Sequence, residues 1–248
     1  TGTANTVVQP AGPTDAAGQA SGSISSTLAE GKSISASTGG AASVAFLAGP
    51  PAAGGTTLAV LGSPATANGT AAITVTVTAR DAFGNPVPGV QVAFTALGAA
   101  LSSPQAATDA AGVASVSATS STAGLASVGA TVGGVVLGPQ PITFEAGPAA
   151  ALVLTAQPSA GVAGEALAAL SVVARDATGN ATALPGAATV TLLASPAGAV
   201  LSGAATQPAG PGASFADLSV QRSGAYRLRV SSGPLAVDGD AFTVAPAA

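Results

Sequence analysis

The chain has 248 residues, 6% of them charged and 48% hydrophobic, the latter mostly Ala and Val, with a formal net charge of −4. That length allows one to three domains, and the six basic residues, scattered along the chain, leave no electrostatic footprint for nucleic acid. With neither His nor Cys, no Ser-His-Asp or Cys-His nucleophile can be assembled, zinc and copper lose their usual ligands, and disulfide and thiol chemistry drop out. Disordered chains couple low hydrophobicity with high net charge; here the balance is the reverse, so a folded chain is expected. Its core must be built from small and β-branched groups, because there are only six Phe, one Tyr and no Trp. The lack of Met and Cys suits a surface exposed to oxidants.

In chain order, Thr1–Pro10 shows neither the basic region nor the apolar run of a signal peptide, and no later stretch approaches the roughly 18–20 uninterrupted apolar residues that cross a bilayer. Gln9-Pro10-Ala11-Gly12-Pro13 returns as Gln207-Pro208-Ala209-Gly210-Pro211, and Thr14-Asp15-Ala16-Ala17-Gly18 returns as Thr108-Asp109-Ala110-Ala111-Gly112. Phe46-Leu47-Ala48-Gly49-Pro50 returns as Phe144-Glu145-Ala146-Gly147-Pro148 and more loosely at Phe242–Pro246, in two steps of 98. Ala79–Asn85 returns as Ala174–Asn180 after 95 positions. These markers agree on a repeat and divide the chain into 1–49, the C-terminal half of a unit lacking roughly its first 50 residues, 50–147, a complete unit, and 148–248, a complete but more divergent one. Both termini are expected to be cuts through a longer array.

Within the middle unit, Ile73, Val75, Val77 and Ala79 alternate with Thr74, Thr76, Thr78 and Arg80, the period of a half-buried antiparallel strand. Val90, Val92 and Phe94 continue the pattern after a turn over Phe83–Gly89, followed by Ala114-Val116-Ala118, Ala126-Val128-Ala130 and Ile142-Phe144. Several short strands separated by turn signals predict an all-β sandwich. By propensity alone Glu165–Thr178 reads as a helix, but Leu170, Val172 and Ala174 stand at the places of Val75, Val77 and Ala79, so a strand is predicted. The junctions are short and carry Pro, which restricts hinge freedom and predicts an extended, fairly stiff rod.

Val77–Phe94, with Thr108–Ala114 after it, resembles a bacterial Ig-like domain of the invasin and intimin group. Thr14–Ser37 resembles the second half of the same module, and Ser223–Leu228 the penultimate strand of related Ig-like modules, with Tyr226 at the place of a tyrosine corner. The resemblance implies an all-β fold of tandem immunoglobulin-like antiparallel sandwiches in an extended array, on the outside of a bacterium. It implies the role of a spacer or stalk that holds adhesive tips away from the cell. The tip domain of the namesakes would need Cys and Trp, which are absent.

The residues that could carry chemistry read mainly as structural. Asp81, Asp109, Asp176 and Asp217 each lie beside a turn, where Asp caps backbone N–H groups. Arg80-Asp81 and Arg175-Asp176 recur at equivalent places and predict an exposed turn contact worth about 0–1 kcal/mol. Asp238-Gly239-Asp240 is a fragment of a calcium loop without its further ligands, and predicts a polar hairpin between strands. Arg222, Arg227 and Arg229 form a basic trio that reads as solvation before it reads as a sugar site. Asn68-Gly69-Thr70 and Asn180-Ala181-Thr182 match the glycosylation sequon, a match that Ser- and Thr-rich chains reach by chance. Thr38-Gly39-Gly40 and Val132-Gly133-Gly134 read as hairpin turns rather than phosphate loops.

No catalytic, cofactor-binding or metal-binding residue is therefore assigned, no cofactor is expected, and the chain is not expected to be an enzyme. Expected partners are neighbouring Ig-like domains of the same array or adjacent subunits, with no membrane insertion in this segment. The alternative to a spacer is an adhesin module binding a host protein or glycan through its loops. The half unit at Thr1–Gly49 cannot close a sandwich; truncation of a longer polypeptide and completion by a neighbour's strands both account for it.

Overall fold

The computed structural model describes residues 4–37 and 39–248, and the regular structure among them is strand throughout. Contacts group the chain into two compact units, one of residues 1–63, 72–118 and 126–142, the other of residues 64–71, 119–125 and 143–248.

The first compact unit opens with two hairpins. Strand β1 (Asn5–Val8) pairs antiparallel with β2 (Ser23–Ser26), and β3 (Gly31–Ser35) with β4 (Ala41–Ala45). These hairpins have almost no core. Among the described residues up to Gly49 only Lys32 is buried, its ammonium held by Glu30. Val7, Val8, Ile24 and Ile34 line an open cleft instead. Thr38 of the expected Gly-rich turn lies outside the described residues; Gly39 and Gly40, both at positive φ, lead into β4.

The remaining strands follow the sequence pattern closely. They are β5 (Thr57–Leu61), β6 (Ala65–Thr66), β7 (Ile73–Thr78), β8 (Gln91–Leu97), β9 (Ala100–Leu101), β10 (Gln105–Ala107), β11 (Val113–Thr119), β12 (Gly124–Val132) and β13 (Val135–Glu145). One sheet runs β5-β7-β11-β9, and a second places β10, β8, β12 and β13 side by side. The alternation seen in the sequence is the alternation of burial: Ile73, Val75, Val77, Val92, Phe94, Ala114, Val116, Val128 and Val132 are buried, with Thr and Ser between them outside. Burying each of the larger groups contributes roughly 1.5–3 kcal/mol.

The second compact unit contains β6, paired in parallel with Phe144 and Glu145 at the end of β13. It continues with β14 (Ala151–Ala156), β15 (Ala160–Val162), β16 (Leu170–Arg175), β17 (Ala181–Thr182), β18 (Ala188–Ala194), β19 (Leu201–Ser202), β20 (Thr206–Gln207), β21 (Gly212–Phe215), β22 (Ser219–Val220), β23 (Gly224–Ser232), β24 (Leu235–Asp238) and β25 (Phe242–Ala245). Sheet β14-β16 is extended on its far edge by β17 and β21, and the facing sheet runs β15-β25-β23-β18-β20. Leu170, Val172 and Ala174 are buried in this core, so the strand expected there forms in spite of local helix propensity. It is shorter than the segment free of Gly and Pro: β16 starts at Leu170. Long-range pairing on both edges and a buried face outweigh propensity, which is a weak prior.

Tyr226 closes this core as a tyrosine corner. Its ring is buried and stacks on Phe242 at 6.0 Å between centroids, and its hydroxyl donates to the carbonyl of Arg222 at 2.8 Å. Asp238-Gly239-Asp240 departs from the expected hairpin. β24 and β25 both pair with β23, one beside Arg229–Ser232 and the other beside Gly224–Tyr226. The Asp-Gly-Asp segment is thus a link along a single sheet edge, with Gly239 N donating to Leu228 O at 2.8 Å.

One turn recurs in both compact units. At Asp15, Asp81, Asp109 and Asp176 the carboxylate accepts the N–H groups two and four residues on. The N–H of the residue three on donates to the Asp carbonyl, and that residue is Gly at positive φ in all four. An L side chain there costs about 1–2 kcal/mol in backbone strain. Gly112 is more constrained than its counterpart, because a Cβ would lie 2.5 Å from Ala79 O, whereas at Gly18 nothing lies within 4 Å. Gly18→Ala is expected to cost only the strain, read as faster amide exchange in its own hairpin. Gly112→Ala is expected to lower the urea midpoint of the whole first compact unit by more than that. Tyr226→Phe is expected to lose about 1 kcal/mol in the same denaturation assay, the worth of one hydrogen bond.

Candidate functional site: two Asp–Asn turns

Of the four equivalent turns, two end in Asn, at Asn85 and Asn180; the others carry Gln19 and Val113 there. That difference turns a local cap into a clasp. In the first compact unit Asp81 accepts from the N–H of Phe83 and of Asn85, both at 2.9 Å, from the Asn85 amide at 2.8 Å, and from the N–H of Gly49 at 3.0 Å. The oriented Asn85 amide then donates to Thr27 O at 2.9 Å and accepts from Ala29 N at 2.9 Å. One side chain thereby satisfies a carbonyl and an amide of the chain just after β2.

The second compact unit repeats the arrangement. Asp176 accepts from the N–H of Thr178 at 3.0 Å, of Asn180 at 2.8 Å and of Gly147 at 2.9 Å, and from the Asn180 amide at 3.0 Å. Asn180 donates to Ser121 O at 3.0 Å and to Ala67 O at 3.2 Å, and accepts from Ala123 N at 2.9 Å. Thr178, in the place of Phe83, adds a bond from its hydroxyl to Ala67 O at 2.8 Å. Phe83 has no such handle and stays 69% exposed, beside an open crevice that Leu47 also lines.

The carboxylates are buried, Asp81 at 4% and Asp176 at 6% exposure. Burial alone pushes their pKa values up, but the hydrogen bonds outweigh it. Asn85 and the N–H groups of Gly49, Asn85 and Phe83 hold Asp81 down at about 2. The Asn180 amide, the N–H groups of Gly147 and Asn180 and the Thr178 hydroxyl hold Asp176 well below the usual carboxylate range.

The turn contact expected at Arg80-Asp81 and Arg175-Asp176 forms, but it does not join Arg to Asp. Arg80 and Arg175 each donate to a turn carbonyl, Gly84 O and Gly179 O, at 2.8 Å. The Asp is occupied by N–H donors, which satisfy a buried carboxylate by main-chain geometry alone. The other candidates are also held in place. Asp109 caps Ala111 N and Val113 N, and Asp217 accepts from Ala204 N at 3.0 Å. Asp238 takes a two-point contact from Arg229, at 2.6 and 3.0 Å, whose guanidinium draws its pKa down. Asp240 is held by Gln157, and Arg227 donates to Gly239 O, so two of the three arginines of the basic trio belong to this edge. Asn68 caps Thr70 N and Ala71 N, and the Asn180 sequon nitrogen is the one inside the clasp. Among the described residues no three His, Cys, Asp or Glu gather as a metal set.

Residues 56–145 match the family described as Bacterial Ig-like domain (group 1). Among solved structures, invasin, titled a bacterial integrin-binding protein, aligns with 98% of this chain and 52% of its own at 19% identity and a TM-score of 0.55. The Escherichia coli adhesin FdeC aligns with 82% of this chain and 67% of its own at 21% identity and a TM-score of 0.50. At such identities the likeness is one of fold, and the chain spans about half to two thirds of the length of these structures. None of the curated proteins matches the sequence significantly.

Both clasp carboxylates have folded pKa values below the ordinary value of about 3.9. The unfolded chain therefore takes up protons first, and the stability they contribute is present above about pH 4 and lost as the pH falls toward 2. Thermal midpoints measured from pH 6 to 2 are expected to fall across that window. Asp81→Asn and Asp176→Asn are expected to lower the midpoint at pH 6 and to flatten the acid slope.

Proposed function

We propose that this chain is a non-catalytic spacer segment of a bacterial cell-surface protein, built of units 1–49, 50–147 and 148–248. Its contribution is to hold what is attached to it at a set distance and orientation. The observation that carries the reading is the recurrence of one clasp, Asp81 with Asn85 and Asp176 with Asn180, at places 95 residues apart. A repeated device that fastens a turn to main chain well upstream of it is what a spacer needs and a solitary binding domain does not. The match of residues 56–145 to a bacterial Ig-like family, and the fold shared with invasin and FdeC, support a place on the bacterial surface.

A second reading, an adhesin module that binds a host protein or glycan, is favoured by one feature: Phe83 and Leu47, both exposed at the first crevice. Binding on glycan and host-protein arrays that Phe83→Ser with Leu47→Ser abolishes would support it, and binding no greater than background would remove it.

The chain has no Cys, so spin labels can be placed at will. With Ala59→Cys and Ser202→Cys, both exposed positions, the spacer reading expects a single narrow distribution of label distances, broadened by Asn180→Ala. A broad distribution in the otherwise unsubstituted chain would overturn it.

A further inference from the structure

The Asn clasps read main-chain atoms at fixed places: the carbonyl and N–H flanking the link between two strands. Those places recur a third time, later in the second compact unit. Gly124 and Gly224 open β12 and β23 with φ of 149° and 140°, and Gly133 and Gly233 end them with φ of 54° and 52°. The step is 100 residues at both ends of this strand, so Ser121 corresponds to Gln221 and Ala123 to Ser223. The flanking strands agree. Ala67 N donates to Glu145 O and Ala163 N to Ala245 O, while Gly69 N donates to Ser120 O and Gly164 N to Val220 O. Ala163 thus stands for Ala67 and Ala247 for Gly147.

We infer that these places form a docking surface for a further Ig-like unit that carries a turn reading Asp-x-x-Gly-Asn. The Asn would donate to Gln221 O and accept from Ser223 N, while the Asp would accept from Ala247 N. Gln221, Ser223 and Ala247 are all exposed. Ala in place of Gly fits the last position, since a Cβ on Gly147 would meet Asp176 Cβ at 3.6 Å and Thr66 Cγ2 at 3.5 Å, ordinary contact distances. Because every group in these hydrogen bonds is main chain, the bonds select the turn and not a particular side chain opposite it. The inference rests on the spacer reading, which supplies the reason for a further unit, but its atoms are named by the two clasps already present.

The test extends the full chain by a second copy of residues 149–248 after Ala248, with its Asp-Ala-Thr-Gly-Asn turn intact, and follows amide exchange residue by residue. Ser223 and Ala247 are expected to exchange at least tenfold more slowly in the extended chain than in the 248-residue chain. Asn→Ala in the turn of the added copy should return Ser223 to its original rate, and Asp→Ala should do so for Ala247. Ala123 and Gly147, clasped in both chains, serve as internal reference. Unchanged exchange at Ser223 and Ala247 with Ala123 and Gly147 protected would overturn the docking surface and leave the spacer reading standing. Loss of protection at Ala123 and Gly147 as well would overturn both the surface and the clasps from which it is drawn.

Discussion

A buried carboxylate with no cation beside it is the constraint on which this structure turns. Placing Asp81 or Asp176 at 4–6% exposure would be costly unless every lone pair found a donor, and the chain supplies those donors from its own backbone. The turn folds so that N–H groups two and four residues on point at one carboxylate oxygen, and Gly49 or Gly147 arrives at the other. The same satisfaction orients the Asn amide, which would otherwise rotate freely, toward Thr27 and Ala29 or toward Ser121 and Ala123. Local turn geometry, linker path and grip on the preceding strands are therefore one hydrogen-bond network, in which a partly satisfied member is worse than none.

Much of this fold was legible in the sequence because its signals are local and repeated. Ile73–Val77 alternates on the page and in burial, and the repeat carried that reading onto Leu170–Ala174, where propensity pointed elsewhere. Tyr226 was recognisable from its neighbours, and its hydroxyl reaches Arg222 O four residues upstream. The clasp was half legible. Asp at a turn is a local fact, and its capping role was expected. The reach of Asn85 and Asn180 was not, because their partners lie 56–59 residues upstream and are main-chain atoms with no side-chain signature. The contrast of Asn85 and Asn180 with Gln19 and Val113 was the available clue. Arg80 and Arg175 misled for a related reason: adjacency in sequence suggests pairing, but each guanidinium reaches a carbonyl four residues on while the Asp faces the N–H groups of its own turn.

Low charge fits this economy. With 6% charged residues the chain has few ion pairs to place, and among the described residues only Lys32–Glu30 and Arg229–Asp238 form them. Side-chain hydroxyls and amides on backbone take over instead, as with Thr108, which donates to Val87 O at 2.7 Å and accepts from Val90 N at 3.0 Å. Such neutral bonds are barely weakened by salt, which screens exposed charges over roughly 8–10 Å at ordinary ionic strength.

The grip of Asn180 on carbonyls and an amide has a further consequence for descent. Hydrogen bonds that end on main-chain atoms place no demand, through those bonds, on the amino acids that carry them. Substitutions around these atoms can therefore accumulate without loss of the bonds, so long as Asp, Gly and Asn keep their spacing. Thr178 and Phe83, unlike residues at the same place in the two turns, already show that this place accepts either.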